Sequence, residues 1–538
     1  MMAGFRASGA PVPIDYFALR PAIQNVSLSP DGKHIAMRRL FTKDGNYVIE
    51  VYDTAHMDKK PVRFGAKKME IVGYQWASPD YLWVTFTQQV RKKIQGVNRG
   101  VFELKSALVH ISGKKPWKTL PDDARLFDVL VNEPNKIRIY TSNYYARKGI
   151  EGKAISDLNT PDFYDYDLRS GRQHLVLKGN DRLGGYVSDA EGNIRGASEL
   201  DMSKREIVYY TRGKEKGSKW REFLRYKIED YDKYGQLGIR ILGFDPEDEN
   251  KALVLAHNEH DKAGVYLIDL NTGKFLETVY QRNDVDVQGG LYTPDADKPS
   301  VLSGFWFYKD GKQRDEFIDG RMAAIQKSVD AAFPQTRNTV SSCADDCRLM
   351  VVFTQSSQDP GTYYLISNGK AAVLGKRNPL VKKEDLGKER FVHYPARDGM
   401  DIPAILTMPA SGKPPYPLIV LPHGGPWVSE TRAYDEWVGL LTNHGYMVLQ
   451  PQYRGSEGYG IRHWSASFGQ WGKTMSDDLD DGVAYLVKQG LADPDRVALF
   501  GWSYGGYAAM AGSERKPQIY QCVVAGAGVS DIDKIRSD

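Results

Sequence analysis

The sequence predicts two architectures in one chain: an all-β N-terminal part built as a propeller of about seven blades, and a C-terminal part in which strands and helices alternate. Three observations carry this. A turn phrase recurs with a strand behind it, an aromatic strand phrase recurs with a polar hairpin behind it, and the pattern changes near residue 375. The chain is 538 residues long, room for more than one domain at roughly 150 residues each.

The first phrase is Ser29-Pro30-Asp31-Gly32 before His34–Arg38, and Ser78-Pro79-Asp80 before Tyr81–Phe86. Related turns stand at Ser188–Gly192, Asp245–Asp248 and Thr293–Asp295. Pro and Gly set the turn dihedrals, and Ser and Asp bond the nearby backbone. The second phrase is Tyr164-Asp165-Tyr166-Asp167-Leu168-Arg169-Ser170-Gly171 and Val265-Tyr266-Leu267-Ile268-Asp269-Leu270-Asn271-Thr272-Gly273, with weaker copies at Leu108–Gly113 and Tyr363–Gly369. Approximate repetition of four-strand units at ~40–50 residues is the mark of a propeller. The roughly 355 residues from Pro21 to Gly375, after an extension over 1–20, give about seven such units. An irregular pair of sandwiches would not repeat the same phrases.

A charged linker over 376–390 leads into the second part, 391–538. A hairpin is expected over Phe391–Met408, then strands at Leu418–Leu421, Tyr446–Gln450, Arg496–Phe500 and Tyr520–Ala525. Helices are expected at Ala433–His444, at Ser476–Gln489 with Ser476 as its cap, and at Tyr504–Gly512. Strands alternating with helices imply a mainly parallel sheet covered on both faces.

Composition excludes several functions. Hydrophobic residues make up 41% and charged residues 26%, an ordinary globular balance. The 72 Lys+Arg against 68 Asp+Glu leave a net charge of only +4, and the basic clusters are short and scattered, so no nucleic-acid partner is expected. No run of ~18 apolar residues suggests a membrane span. Residues 1–13 lack the apolar core of a signal peptide, so the compartment stays open between the cytoplasm and an export route whose signal has been removed. Three cysteines are too few for a disulfide scaffold. Cys522 reads as a buried core thiol, while Cys343 and Cys347 read equally as a disulfide or as two free thiols. No metal or organic cofactor is expected, because neither Cys/His ligand spacing nor a dinucleotide loop occurs.

The chemistry is concentrated late in the chain. Gly501-Trp502-Ser503-Tyr504-Gly505 follows the apolar strand Val497–Phe500 and opens a helix, the setting of a nucleophile elbow. Small flanking residues let the backbone turn sharply and hold Ser503 Oγ clear of the sheet, near the positive end of a helix. Pro422-His423-Gly424-Gly425-Pro426 directly follows the strand Leu418–Leu421. A glycine loop there can aim a bare N–H at a developing oxyanion, beside the N–H of Tyr504. His423 precedes the nucleophile, whereas this fold orders its triad Ser, acid, His, so it reads as a loop-shaping residue rather than a base.

With these stretches in hand, the chain resembles the prolyl oligopeptidase family of serine peptidases, particularly its acylaminoacyl-peptidase and dipeptidyl-peptidase-like branches. The resemblance rests on His423-Gly424-Gly425-Pro426, Tyr453-Arg454-Gly455-Ser456-Glu457-Gly458-Tyr459-Gly460, Asp477-Asp478 and Gly501–Tyr507, in that order. It implies an α/β-hydrolase domain beneath the propeller, with Ser503 as nucleophile and with Tyr504 and Gly425 as oxyanion donors. It also implies an apolar pocket at Val529, Ile532 and Ile535, beside the ring of Tyr504. Short peptides are the implied substrates. The dipeptidyl branch grips the substrate amino terminus with a Glu-Glu pair, and no Glu-Glu dipeptide occurs in this chain. Hydrolysis of acylaminoacyl or aminoacyl peptides is therefore the expected activity, with dipeptidyl release as its neighbour. Assembly as a homo-oligomer is left open.

A serine nucleophile needs a histidine base oriented by an acid. All ten histidines precede Ser503, and the acids after it are Glu514, Asp531, Asp533 and Asp538. Asp531 and Asp533 follow the first strand after the elbow, too early for the family's triad acid. The hydrolase domain is thus expected to be incomplete here, with its remaining strands and triad residues on a further segment or a separate chain. The competing expectation is a non-catalytic propeller binding module with a degenerate hydrolase tail. An esterase with the same elbow is a third, which a propeller-sized cover argues against.

Overall fold

The computed structural model describes residues 11–91, 101–121, 123–141, 160–215, 217–235, 238–298 and 300–532. The N-terminal part forms seven antiparallel sheets: six have four strands and the sixth in chain order has three. Their innermost strands are Ile23–Leu28, Glu70–Ser78, Arg125–Val129, Gly184–Ser188, Arg240–Phe244, Val287–Tyr292 and Arg337–Ala344. All seven line a central cavity of about 1510 Å³, with Tyr74, Trp76, Phe127, Tyr186, Phe244 and Tyr292 among its walls. This is a seven-bladed propeller. The three-stranded blade ends in a helix, Gly320–Ala332, which packs on the next blade through Val329 and the Val340–Val352 cluster.

The repeated phrases become repeated turns. Asp167 Oδ1 accepts the N–H groups of Arg169 (3.0 Å) and Ser170 (2.6 Å), and Asp269 Oδ1 accepts those of Asn271 and Thr272 (both 2.8 Å). Gly171 and Gly273 close the two turns at φ +75° and +67°, where glycine carries no Cβ penalty. In the first blade Ser29 Oγ donates to Asp31 Oδ1 (2.7 Å), tightening the turn between strands Ile23–Leu28 and His34–Arg39.

The cores lie between neighbouring blades, as with Ile49, Ile71, Val84 and Val109 between the first and second. Each such side chain contributes ~1.5–3 kcal/mol on burial. The ring closes without exchanging a strand. The first and last blades meet through Ile23, Leu28, Val351 and Leu365, and Leu28 N–H donates to Ser342 Oγ (2.9 Å).

The last propeller strand ends at Lys376 and the first strand of the second part begins at Lys388. A six-stranded sheet follows in the order Lys388–Pro395, Asp401–Met408, Met447–Pro451, Tyr416–Val420, Ala492–Trp502, Cys522–Gly526. The first three strands pair antiparallel and the last four parallel. Met447–Pro451 is buried throughout, as a central strand covered on both faces should be. Helices Glu436–Asn443 and Thr474–Lys488 flank the sheet. Asp435 caps the first through the N–H groups of Trp437 and Val438. The second begins two residues before Ser476, which is buried inside it, so the expected Ser476 cap is corrected. The segment from Val12 to Phe17 packs across onto this domain, with Val12 N–H on Asn443 Oδ1 (2.7 Å). No helix among the described residues is long and apolar enough to cross a membrane.

Two cysteine readings resolve here. Cys343 and Cys347 form a disulfide across their turn. Cys522 is exposed among the described residues, where its strand Cys522–Gly526 stands last in the sheet order.

Candidate active site

Strand Ala492–Trp502 runs straight into helix Tyr504–Ser513, and Ser503 makes the turn between them at φ +57°, ψ −122°. A non-glycine residue in the left-handed region costs on the order of 1–3 kcal/mol, a cost characteristic of functional turns. The turn is possible only because its neighbours are bare. A Cβ on Gly501 would collide with the backbone of Gly505, and a Cβ on Gly505 with the carbonyl of Pro422. Two backbone bonds fix the corner: Ser503 N–H to Gly526 O and Tyr507 N–H to Ser503 O, both 3.0 Å. The Ser503 side chain is exposed and makes no capping bond to the helix it precedes.

The glycine loop lies over this corner. A Cβ on Gly424 would sit 3.3 Å from Ser503 Cβ and 3.8 Å from its Oγ. Gly425, at φ +112°, faces Trp427 and Val428 instead. Gly424 thus lies against the nucleophile, next in sequence to the expected donor Gly425. The backbone of Tyr504 opens the elbow helix, where unpaired N–H groups and the helix dipole favour negative charge.

His423 is buried and stacked on Tyr453, with ring centroids 4.3 Å apart. Its Nδ1 donates to Gly424 O (2.7 Å), and Nε2 faces Ser456 Oγ (2.8 Å). Tyr453 OH donates to His423 O (2.8 Å). Burial pushes the imidazole down to about 4, so the ring is neutral and Nε2 accepts the Ser456 hydroxyl. Both ring nitrogens are engaged in holding the loop.

Beneath this network Arg454 spans two carboxylates, Asp478 through Nε and Nη2 (2.7 Å at closest) and Asp398 through Nη1 (2.8 Å). Asp477, its motif neighbour, pairs with Arg397 (3.1 Å) and Arg515. The motif residues are thus split between a buried anchor and a partly exposed one.

The ring of Tyr504 is only 2% exposed. It packs against Trp471 (4.7 Å) and Tyr453 (5.4 Å), with its hydroxyl toward Met475. The ring belongs to the hydrolase core rather than to an open surface. Val529 is half-buried, Ile532 is 47% exposed, and Ile535 and Asp533 lie outside the described residues. Sequence reasoning missed Ser456 and Tyr453 as supports of His423, since nothing in their spacing links residues 30 or more positions apart.

Fold and site together define a propeller-covered α/β-hydrolase with a serine elbow. Residues 433–538 match the model described as "Prolyl oligopeptidase family". Dipeptidyl aminopeptidase BIII of Pseudoxanthomonas mexicana is 29% identical over 394 residues, covering 71% of this chain and 55% of that protein. Dipeptidyl peptidase family member 6 of Caenorhabditis elegans is 26% identical, covering 97% of this chain and 71% of that protein. The human acylamino-acid-releasing enzyme is 33% identical over 136 residues, 25% of this chain and 19% of that enzyme. A puromycin-hydrolyzing peptidase of Mycobacterium tuberculosis shares the fold, with a TM-score of 0.66 at 16% identity over 100% of this chain and 82% of that one. By this match and these relatives the chain is similar to the prolyl oligopeptidase family of peptidases, the family match itself lying over residues 433–538. It spans just over half the length of the Pseudoxanthomonas relative.

Proposed function

We propose that this chain supplies the nucleophile, the oxyanion loop and the substrate cover of a serine peptidase acting on short peptides. One observation carries the reading: Ser503 stands exposed on a left-handed corner that two clearance glycines make possible, with the Gly424 loop over it. In this mechanism Ser503 Oγ attacks the scissile carbonyl carbon and passes its proton to a base. The carbonyl oxygen takes the charge facing Tyr504 N–H and the glycine loop. Collapse expels the amine, which takes the proton from the base, and leaves an acyl-serine; water, giving a proton to the same base, then hydrolyses it to the acid and frees Ser503. His423 is not that base: both ring nitrogens are engaged in holding the loop, and burial, which pushes the ring down to about 4, makes it a poor proton acceptor. The base and its acid form part of the same proposal: they come from outside residues 1–538, on a following segment or a separate chain.

Two specificities compete. The missing Glu-Glu dipeptide favours acylaminoacyl or aminoacyl peptides. The relatives matched over most of the chain, propeller included, bear dipeptidyl names, whereas the acylamino-acid-releasing match is confined to a quarter of it. That breadth favours dipeptidyl release, because the propeller is the part that would select substrate length. The test is a comparison of acyl-aminoacyl, aminoacyl and dipeptidyl chromogenic substrates on the natural full-length protein, with Ser503→Ala as control. Turnover surviving in Ser503→Ala would defeat the nucleophile assignment. Turnover of only one substrate class decides between the specificities.

A further inference from the structure

The segment Tyr453–His463 takes no direct part in the chemistry above, yet it bridges the propeller and the oxyanion loop. Propeller residues grip its far end. Buried Asp286 accepts Ala263 N–H through Oδ1 (2.8 Å) and Gly460 N–H through Oδ2 (2.9 Å), and its own N–H donates to Gly458 O (3.0 Å). Lys262 Nζ donates to Tyr459 O. The main-chain oxygen of Asp261 accepts Ile461 N–H (2.8 Å), and its carboxylate accepts Arg462 N–H (3.1 Å). The fit is close at Gly460, where a Cβ would lie 2.6 Å from Lys262 Nζ and 2.7 Å from Asp261 Oδ2 and would displace both side chains from their bonds.

The near end of the same segment holds the oxyanion loop. Ser456 Oγ bonds His423 Nε2, Tyr453 OH bonds His423 O, and Glu457 N–H donates to Val428 O (3.1 Å). An aromatic route runs in parallel. Tyr231 of the propeller meets Trp464 (5.5 Å) and Phe468 (5.4 Å) edge-on, and Trp464 lies 6.0 Å from Trp427, three residues after Gly424. Trp427 Nε1 in turn donates to Ser467 Oγ (3.2 Å).

We propose that the propeller is a structural member of the oxyanion site, with Asp286 and Tyr231 as positioning residues that keep Gly424 and Gly425 in register with Ser503 through the Tyr453–His463 segment. The physical reason is the cost of order. An irregular loop loses backbone freedom at every residue that is ordered, and the glycines are the residues that lose most. Oxyanion donors work only at hydrogen-bond distance from the charge, and a misplacement of ~1 Å can cost ~10² in rate. A strut anchored in a separate, rigid domain supplies that order while leaving the site open to substrate.

The proposal rests on Ser503 as nucleophile, and its test separates the two. In the natural full-length protein, Asp286→Ala, Asp286→Asn and Tyr231→Ala are compared with wild type by kcat and KM on the best peptide substrate. Amide hydrogen exchange is followed over 424–428 and 456–461. Asp286→Ala and Tyr231→Ala are expected to lower kcat about tenfold or more with KM within about twofold, and to speed exchange in both segments. Asp286→Asn keeps one acceptor oxygen and should fall between, so it also serves if Asp286→Ala fails to fold. Faster exchange at 456–461 with unchanged exchange at 424–428 and unchanged kcat overturns the proposal, as does a rise in KM alone. If Ser503→Ala retains turnover, the nucleophile reading has failed. If it is inactive while Asp286→Ala and Tyr231→Ala keep wild-type kcat, only the strut has failed.

Discussion

His423→Gln separates a loop-shaping histidine from a titrating catalytic one, and the structure gives the size of the effect. In the folded protein burial holds the ring at about 4, against 6.5 for a free imidazole. Between those values the unfolded chain binds the proton and the folded chain does not. The stability contributed by neutral His423 is therefore complete above pH 6.5 and is lost as pH falls toward 4. At ~1.4 kcal/mol per pH unit, the window corresponds to roughly 3 kcal/mol. Near pH 7.5 the substitution removes the ring's bonds to Ser456 and Gly424, costing about 1–3 kcal/mol. Near pH 4 wild type has lost its roughly 3 kcal/mol and the variant has lost none of it. The wild-type advantage should therefore vanish or invert. Urea unfolding midpoints of the two proteins at both pH values give the comparison directly. A difference of the same size and sign at pH 7.5 and pH 4 would refute a buried, neutral His423.

Three further outcomes follow from the elbow and its anchor. Ser503→Gly should raise stability by about 1 kcal/mol, because it relieves the left-handed corner; a lower urea midpoint would contradict the strain. Gly505→Ala should cost about 3 kcal/mol or prevent folding, since its Cβ meets the Pro422 carbonyl, which cannot swing away as a side chain would. Soluble yield and thermal midpoint report it. Asp478→Asn leaves the Arg454 guanidinium short of a charge partner in a buried site, and a loss of about 3–5 kcal/mol in chemical denaturation is expected. An effect under ~1 kcal/mol would mean that Asp398 alone suffices.

Much of this was legible in the residues themselves. The Ser-Pro-Asp-Gly and Asp-x-x-x-Gly phrases announce the blades because each encodes one turn, through a carboxylate that bonds the following amides and a glycine that closes it. The elbow is legible in part for a similar reason: Gly501 answers to the backbone of Gly505 four residues on, although Gly505 itself answers to the distant carbonyl of Pro422. Elements fixed by distant partners were not. Ser476 looks like a cap by its chemistry, but the helix starts at Thr474 and holds Ser476 buried within it. Cys522 sits in an apolar run that is a strand, yet it is exposed among the described residues, where that strand stands last in the sheet order. Tyr504 offers a ring beside the nucleophile, and only the packing of Trp471, Tyr453 and Met475 turns it inward. The three-stranded blade and the grip of Asp286 on Gly460 join residues far apart in sequence, where neither period nor motif carries a signal.

The most direct test of the central claim is covalent. A fluorophosphonate reacts with a serine only when that serine is activated in an assembled site. Mass spectrometry of the labelled natural full-length protein should find one adduct per molecule, on the peptide bearing Ser503, and none in Ser503→Ala. Peptide hydrolysis by a protein whose Ser503 remains unlabelled would contradict the account.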